Sequence, residues 1–243
     1  MKNIFRVNVF TYLILLLSLL SGYGKSILII YFILFVHELG HFFLMKLYNI
    51  RVKSITFYPY GGMIKSNMLI NTNSRIVLLV SLGGIIIQLI LFGFCFIFYK
   101  FNIINYELYS LFNKCNSYII FFNMLPIYPL DGFKVLCSLL EMFFSFKYSL
   151  RVSVIINFIV LVLFLVYLYY FNINNYIIVI FLLSNLVNYI KSIKYIVNKF
   201  YLERMLYDIK YDGLISVSSK DNMFKNKYNY INGIGEEYIL KSI

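Results

Sequence analysis

Long apolar stretches, recurring from Val9 to Ile190 and separated by short polar breaks, constrain this chain more than any other feature. A helix needs about 20 apolar residues to cross a bilayer. By that measure six stretches stand out, at 9–23, 27–47, 76–99, 109–125 with an irregular continuation to 145, 151–171 and 174–191. None shows the two-residue alternation of an outer-membrane strand, so helices are expected and not a barrel. Composition agrees: 61% of the residues are hydrophobic and 13% charged, against roughly 45–50% and 25% in soluble domains. An ordinary globular or disordered chain is excluded. The expected fold is an all-α polytopic membrane protein of about six transmembrane helices, with a short membrane-edge β-hairpin and a small cytoplasmic tail.

The first stretch follows basic Lys2 and Arg6, as a signal peptide would, but Ser21-Gly22-Tyr23-Gly24-Lys25 is a poor cleavage site. It reads as a retained span. The fourth is interrupted by Pro126 and Pro129, each of which removes a backbone donor that lipid cannot replace. The less apolar segment 51–75 holds Tyr58-Pro59-Tyr60-Gly61-Gly62 and reads as the hairpin at the membrane edge. With six spans, Lys46, Arg51, Lys53, Lys65, Arg75, Lys147, Arg151 and the basic tail share one side, which places both termini in the cytoplasm. The formal net charge of +12 then needs no nucleic-acid partner, because topology and anionic lipid account for it. Cys95, Cys115 and Cys137 lie in or beside apolar segments and form no metal or disulfide pattern.

Charge concentrates after Lys191, which divides the chain into a membrane domain over 1–191 and a short cytoplasmic tail over 192–243. In the tail, Ile215–Ser219 and Tyr238–Leu240 suggest short strands, and so small a segment is expected to pack on the membrane part or on a partner.

Ionisable groups inside a bilayer are costly and are functional candidates by default. Before Lys191 the carboxylates are Glu38, Glu107, Asp131 and Glu141, and the chain's two histidines are His37 and His41. The run His37-Glu38-Leu39-Gly40-His41 lies in an apolar helix. Its spacing puts both imidazoles on one face, where they can reach one zinc ion, with Glu38 beside them as a base for a metal-bound water. A core histidine pair bonded to Glu38, or a proton relay in a transporter, are the competing readings. A catalytic zinc wants a third protein ligand. Asp131, beside the proline break in an apolar region, fits that place, and a helix N-cap is its bland alternative. Glu107 and Glu141 fit interface positions.

The HELGH run and the later Asn123-Met-Leu-Pro126-Ile-Tyr-Pro129-Leu-Asp131-Gly132 together resemble the site-2 protease family of intramembrane zinc metalloproteases. The layout, with one span before the HExxH helix, no inserted PDZ domain, two spans after the aspartate and a cytoplasmic tail, is similar to that of the family's sporulation member. The resemblance implies one zinc ion held by His37, His41 and Asp131, with Glu38 as general base and later acid. It also implies that Asn123, Gly61, Gly62, Pro126 and Pro129 help to hold substrate; an interhelical hydrogen bond is the plain reading of Asn123, and an ordinary turn that of Gly61 and Gly62. Ser81-Leu82-Gly83-Gly84 stands where the family often has Gly-Pro, and Gln88 where it has Asn. Such changes suit a helix whose small residues mainly permit close approach.

The implied activity is hydrolysis of a peptide bond in or near the membrane segment of a regulatory pro-protein. By analogy that is the precursor of sigma factor K in sporulation, with membrane partners that hold the protease inactive, at the bacterial inner membrane or the mother-cell-derived membrane around the forespore. Another site-2 substrate, an anti-sigma factor or signal-peptide remnant, is the first alternative, and a proton-relay transporter is the second. The nucleotide-sensing CBS domain of the sporulation member would survive here as a truncated remnant at most.

Overall fold

The computed structural model describes residues 5–58, 61–170 and 176–241. Eight α-helices and six strands are found among them. The chain divides into two compact units, one formed by 1–68 and 79–123, the other by 69–78 and 124–243.

In the first unit, β1 (Phe5–Val7) leads into α1 (Val9–Leu20), which Asn8 caps through its side-chain oxygen. At 1.5 Å per residue its 12 residues reach only about 18 Å, short of the span expected over 9–23. The chain stops being helical at Ser21 and turns at Gly22, whose φ is +80°. α2 (Gly24–Leu47) carries the HELGH run. Next come β2 (Val52–Tyr58) and β3 (Gly61–Ser66), an antiparallel pair with Tyr58 opposite Gly61 and Phe57 opposite Gly62. Their connection, Pro59–Tyr60, lies outside the described residues. β1 adds to the far side of β2 in parallel, giving the order β1-β2-β3 and leaving β3 at an edge. α3 (Ser74–Lys100), from Leu79 onward, and α4 (Tyr106–Met124), up to Asn123, complete this unit. α2 and α3 cross at glycines: a Cβ on Gly40 would collide with the Gly83 carbonyl, and one on Gly83 would lie 2.8 Å from the Gly40 oxygen. Small residues let the two backbones meet.

In the second unit the expected interruption is present. The helix stops at Met124, and α5 (Asp131–Phe143) begins after the proline-containing loop. α6 (Phe146–Tyr170) and α7 (Tyr176–Leu206) follow. The tail then forms a small sheet of order β4-β5-β6 from β4 (Leu214–Val217), β5 (Tyr228–Ile231) and β6 (Ile234–Gly235), closed by α8 (Glu236–Lys241). Tyr238–Leu240, expected as a strand, is helical. Glu236 and Glu237 in the first turn suit a helix N-terminus, and Leu240 is buried. One apolar cluster joins Phe133, Phe146, Leu150, Tyr189 and Phe200 of α5–α7 to Val217, Met223, Ile231 and Leu240 of the tail. The tail therefore has no core of its own to rely on.

Four helices, α2, α3, α6 and α7, are long and apolar enough to cross a membrane among the described residues. Their surfaces are apolar: Leu28 and Phe32 of α2, Leu89 and Phe94 of α3, and Ile155 and Leu163 of α6 are exposed. Faces of that kind require lipid around them. The chain is an integral membrane protein.

Candidate active site

The helical period brings His37 and His41 together on one face of α2, both buried, with their Nε2 atoms 3.1 Å apart and the rings edge to face at 4.7 Å between centroids. α3 backs them. The Nδ1 of His41 lies 2.6 Å from the Val80 carbonyl and the Nδ1 of His37 lies 2.9 Å from Gln88 Oε1. A carbonyl oxygen only accepts, so His41 Nδ1 carries the proton and its Nε2 presents a lone pair. The side-chain amide of Gln88 meets His37 at the corresponding nitrogen. Histidines that ligate a metal characteristically keep a hydrogen-bond partner on the ring nitrogen turned away from it, and both rings do so here. The donor set thus fits a metal ion of the zinc type, which takes neutral imidazole nitrogens.

Glycine makes the room. A Cβ on Gly84 of α3 would collide with the His37 ring, and one on Gly62 of β3 with the Glu38 side chain. Glu38, 8% exposed, therefore lies directly beneath the backbone of the edge strand. Gly61 needs glycine for another reason: its φ is +145°, and nothing lies within 4 Å of a Cβ placed there.

In the second unit Asp131 is the first residue of α5 and is buried. The cap position is taken by Leu130, which makes no side-chain cap bond, so Asp131 is not the N-cap that its sequence context allowed. As a first-turn carboxylate it faces the positive end of the helix. Lys134, one turn on, donates to its Oδ1 at 2.7 Å. Gly132 packs against the Met124 and Leu125 carbonyls, closer than any side chain would permit, which folds the loop back on the start of α5. Pro126 is half-buried and Pro129 exposed in that loop. Asn123, at the end of α4 in the first unit, is half-buried, and its side chain makes no hydrogen bond among the described residues.

The model of peptidase family M50 matches residues 25–114 and 101–167, more than half of the chain and all of the HELGH and Asp131 segments. The chain belongs to peptidase family M50. Among curated relatives, stage IV sporulation protein FB of Bacillus subtilis (strain 168) is 30% identical over 147 residues, which is 60% of this chain and 51% of that protein. A zinc metalloprotease of Methanocaldococcus jannaschii is 25% identical over 132 residues, 51% of this chain and 38% of that one. The chain thus spans about half the length, or less, of the curated relatives it matches. The solved site-2 protease from Methanocaldococcus jannaschii shares the fold, with a TM-score of 0.56 at 20% identity over 76% of this chain and 89% of that one. This M50 chain has its histidine pair on α2, as the HELGH run predicted. Sequence reasoning missed the parts α3 supplies. Gln88 had a signal, an amide in an apolar helix; the Val80 carbonyl had none.

Proposed function

We propose that this M50 protein is an intramembrane zinc metalloendopeptidase that cuts a membrane-associated regulatory pro-protein. The observation that carries the reading is the buried pair of facing Nε2 atoms, with Glu38 beside them under an edge strand. Asp131, in a segment that resembles the family's and lies within the matched region, would be the third ligand beside His37 and His41. A zinc ion so held supplies a water acidified toward about pH 7 and a Lewis acid for the scissile carbonyl. The chain does the rest. Val80 and Gln88 back the imidazoles, and Glu38 would take the water proton and later deliver it to the leaving amine.

A substrate helix must unwind to offer its peptide bond, and its freed backbone groups need partners in a medium without water. The edge of β3 near Gly61 and Gly62 can provide them by strand addition. Asn123 has an amide available for substrate backbone. Pro126 and Pro129 keep the loop before Asp131 out of helical hydrogen bonding, so the backbone there stays open to substrate. By analogy with the sporulation relative the substrate is a pro-sigma factor, the enzyme works in the membrane around the forespore with inhibitory membrane partners, and both termini are cytoplasmic.

Co-expression with a tagged, membrane-associated pro-sigma factor tests this. The wild type should yield a shortened product and Glu38→Gln none. Equal cleavage by both would end the reading. Purified protein should hold about one zinc, lost in His41→Ala.

A further inference from the structure

Both histidines carry a partner on Nδ1, but the two partners differ in kind. Val80 offers His41 a backbone carbonyl, which can only accept and fixes one tautomer. Gln88 offers His37 a side-chain amide, which accepts through its oxygen or donates through its nitrogen according to which way it is turned. Gln88 is fully buried in α3, and its Nε2 has no hydrogen-bond partner. Leaving a buried amide N–H unpaired costs about 1–3 kcal/mol, so the residue is kept there at a net expense. What it holds is the His37 ring. Its own backbone is tied in turn, because the Asn116 Nδ2 of α4 donates to the Gln88 carbonyl at 3.1 Å. Gly84, one turn earlier in α3, leaves no slack beside the ring.

We propose that Gln88 is the positioning residue of the metal site: its amide oxygen, turned toward His37 Nδ1, sets the tautomer that frees Nε2 for the metal. The inference rests on the zinc reading above and deepens it. The amide oxygen already lies 2.9 Å from His37 Nδ1, so the ring is held in advance of the ion and no rearrangement of Gln88 is needed when it binds.

The test is zinc affinity of the full-length protein in detergent, by competition with a chelator of known strength, for wild type, Gln88→Met, Gln88→Glu and His41→Ala. Met keeps the volume and loses the acceptor, so zinc should bind 10–100-fold more weakly, the usual effect of removing a partner behind a ligand. Glu keeps an acceptor and should hold zinc at least as tightly as wild type. A purely packing role predicts the opposite order, because Met fills the space and Glu buries a charge. Equal affinity in Gln88→Met and wild type, or weaker binding in Gln88→Glu than in Gln88→Met, overturns the proposal. If Gln88→Met fails to fold, Gln88→Glu against wild type decides alone: a tenfold loss in Glu refutes it and retention supports it. A wild type without zinc that His41→Ala leaves unchanged brings down the zinc reading itself; zinc lost in His41→Ala but retained in Gln88→Met brings down only the role of Gln88.

Discussion

Two polar clusters are buried in this protein and they are built on opposite plans. Around His37, in the first unit, polar atoms are left over: Gln88 Nε2 and Asn116 Oδ1 have no hydrogen-bond partner among the described residues. Around Arg204, in the second, every guanidinium nitrogen is engaged, and the neighbouring Glu203 Oε1, which lacks a hydrogen bond, has the Lys199 ammonium 3.7 Å away. Arg204 Nη1 donates to both Glu236 oxygens at 2.6 Å, its Nε to Asn71 Oδ1, and its Nη2 to the Phe224 and Lys225 carbonyls. Phe200 and Tyr211 lie against its faces. A saturated network rigidifies, while an unsaturated one waits for a ligand or water. The difference is between a cluster with spare donor and acceptor capacity and one whose central cation is fully engaged.

The largest expected effect breaks the first plan by volume alone. Gly84→Ala adds one methyl where the His37 ring stands, so the imidazole must leave its pose; zinc affinity and proteolysis should fall by 100-fold or more. Gly93→Ala, in the same helix with open space around it, should leave both unchanged and raise stability by up to about 1 kcal/mol. Similar zinc affinity in the two variants would show that the tight approach at Gly84 is not what holds the ring.

Next in size is the joint. Arg204→Met leaves Glu236 buried, nearly without exposure and with no counter-charge, and should destabilise the tail by about 3–5 kcal/mol. Proteolysis of the tail in detergent measures it. Arg204→Met combined with Glu236→Leu should recover much of the loss, because the uncompensated charge is gone. If the double change is no better than the single one, the contacts to Asn71 and the tail carbonyls matter more than the ion pair. A neighbouring link, Lys225 to Glu141 at 2.6 Å with Ser74 Oγ donating to the same oxygen, ties the tail to α5 and to the start of α3.

These contrasts also mark what could be read from sequence. The candidate site stood out in the sequence because a charge in an apolar run is expensive: His37, Glu38, His41 and Asp131 were singled out by type and spacing. Its supports were not. The Val80 carbonyl belongs to a residue indistinguishable from its apolar neighbours, and the space left by Gly84 depends on which helix crosses which. The parallel pairing of β1 with β2 joins residues about 50 positions apart, and no local pattern announces it. In the tail, the helical form of Tyr238–Leu240 follows from the burial of Leu240 and Glu236, a tertiary fact that overrode the β-favouring Tyr-Ile pair. Glu141 looked like an interface residue and is in fact a buried partner of Lys225, because the tail that covers it lies 84 residues away in the chain.

The smallest effect tests whether the second plan extends to the surface. Lys147, in the first turn of α6, donates to Asp221 Oδ2 at 2.7 Å, but Asp221 is half exposed. Such a pair contributes about 0–1 kcal/mol and is screened by salt. The hydrogen bond from the Lys147 ammonium, aided by its charge, holds the Asp221 carboxyl below the ordinary 3.8. A lowered carboxyl stabilises the folded state fully above the ordinary value, and that contribution fades as pH falls through the lowered one. Asp221→Asn should therefore cost a fraction of a kcal/mol at pH 7 in low salt, and the gap to wild type should close on acidification below about pH 4 or on adding salt. A gap that widened on acidification would mean that Asp221 is held by something other than Lys147. A gap as large as that of Arg204→Met would mean that this edge of the tail is part of the saturated joint and not merely its margin.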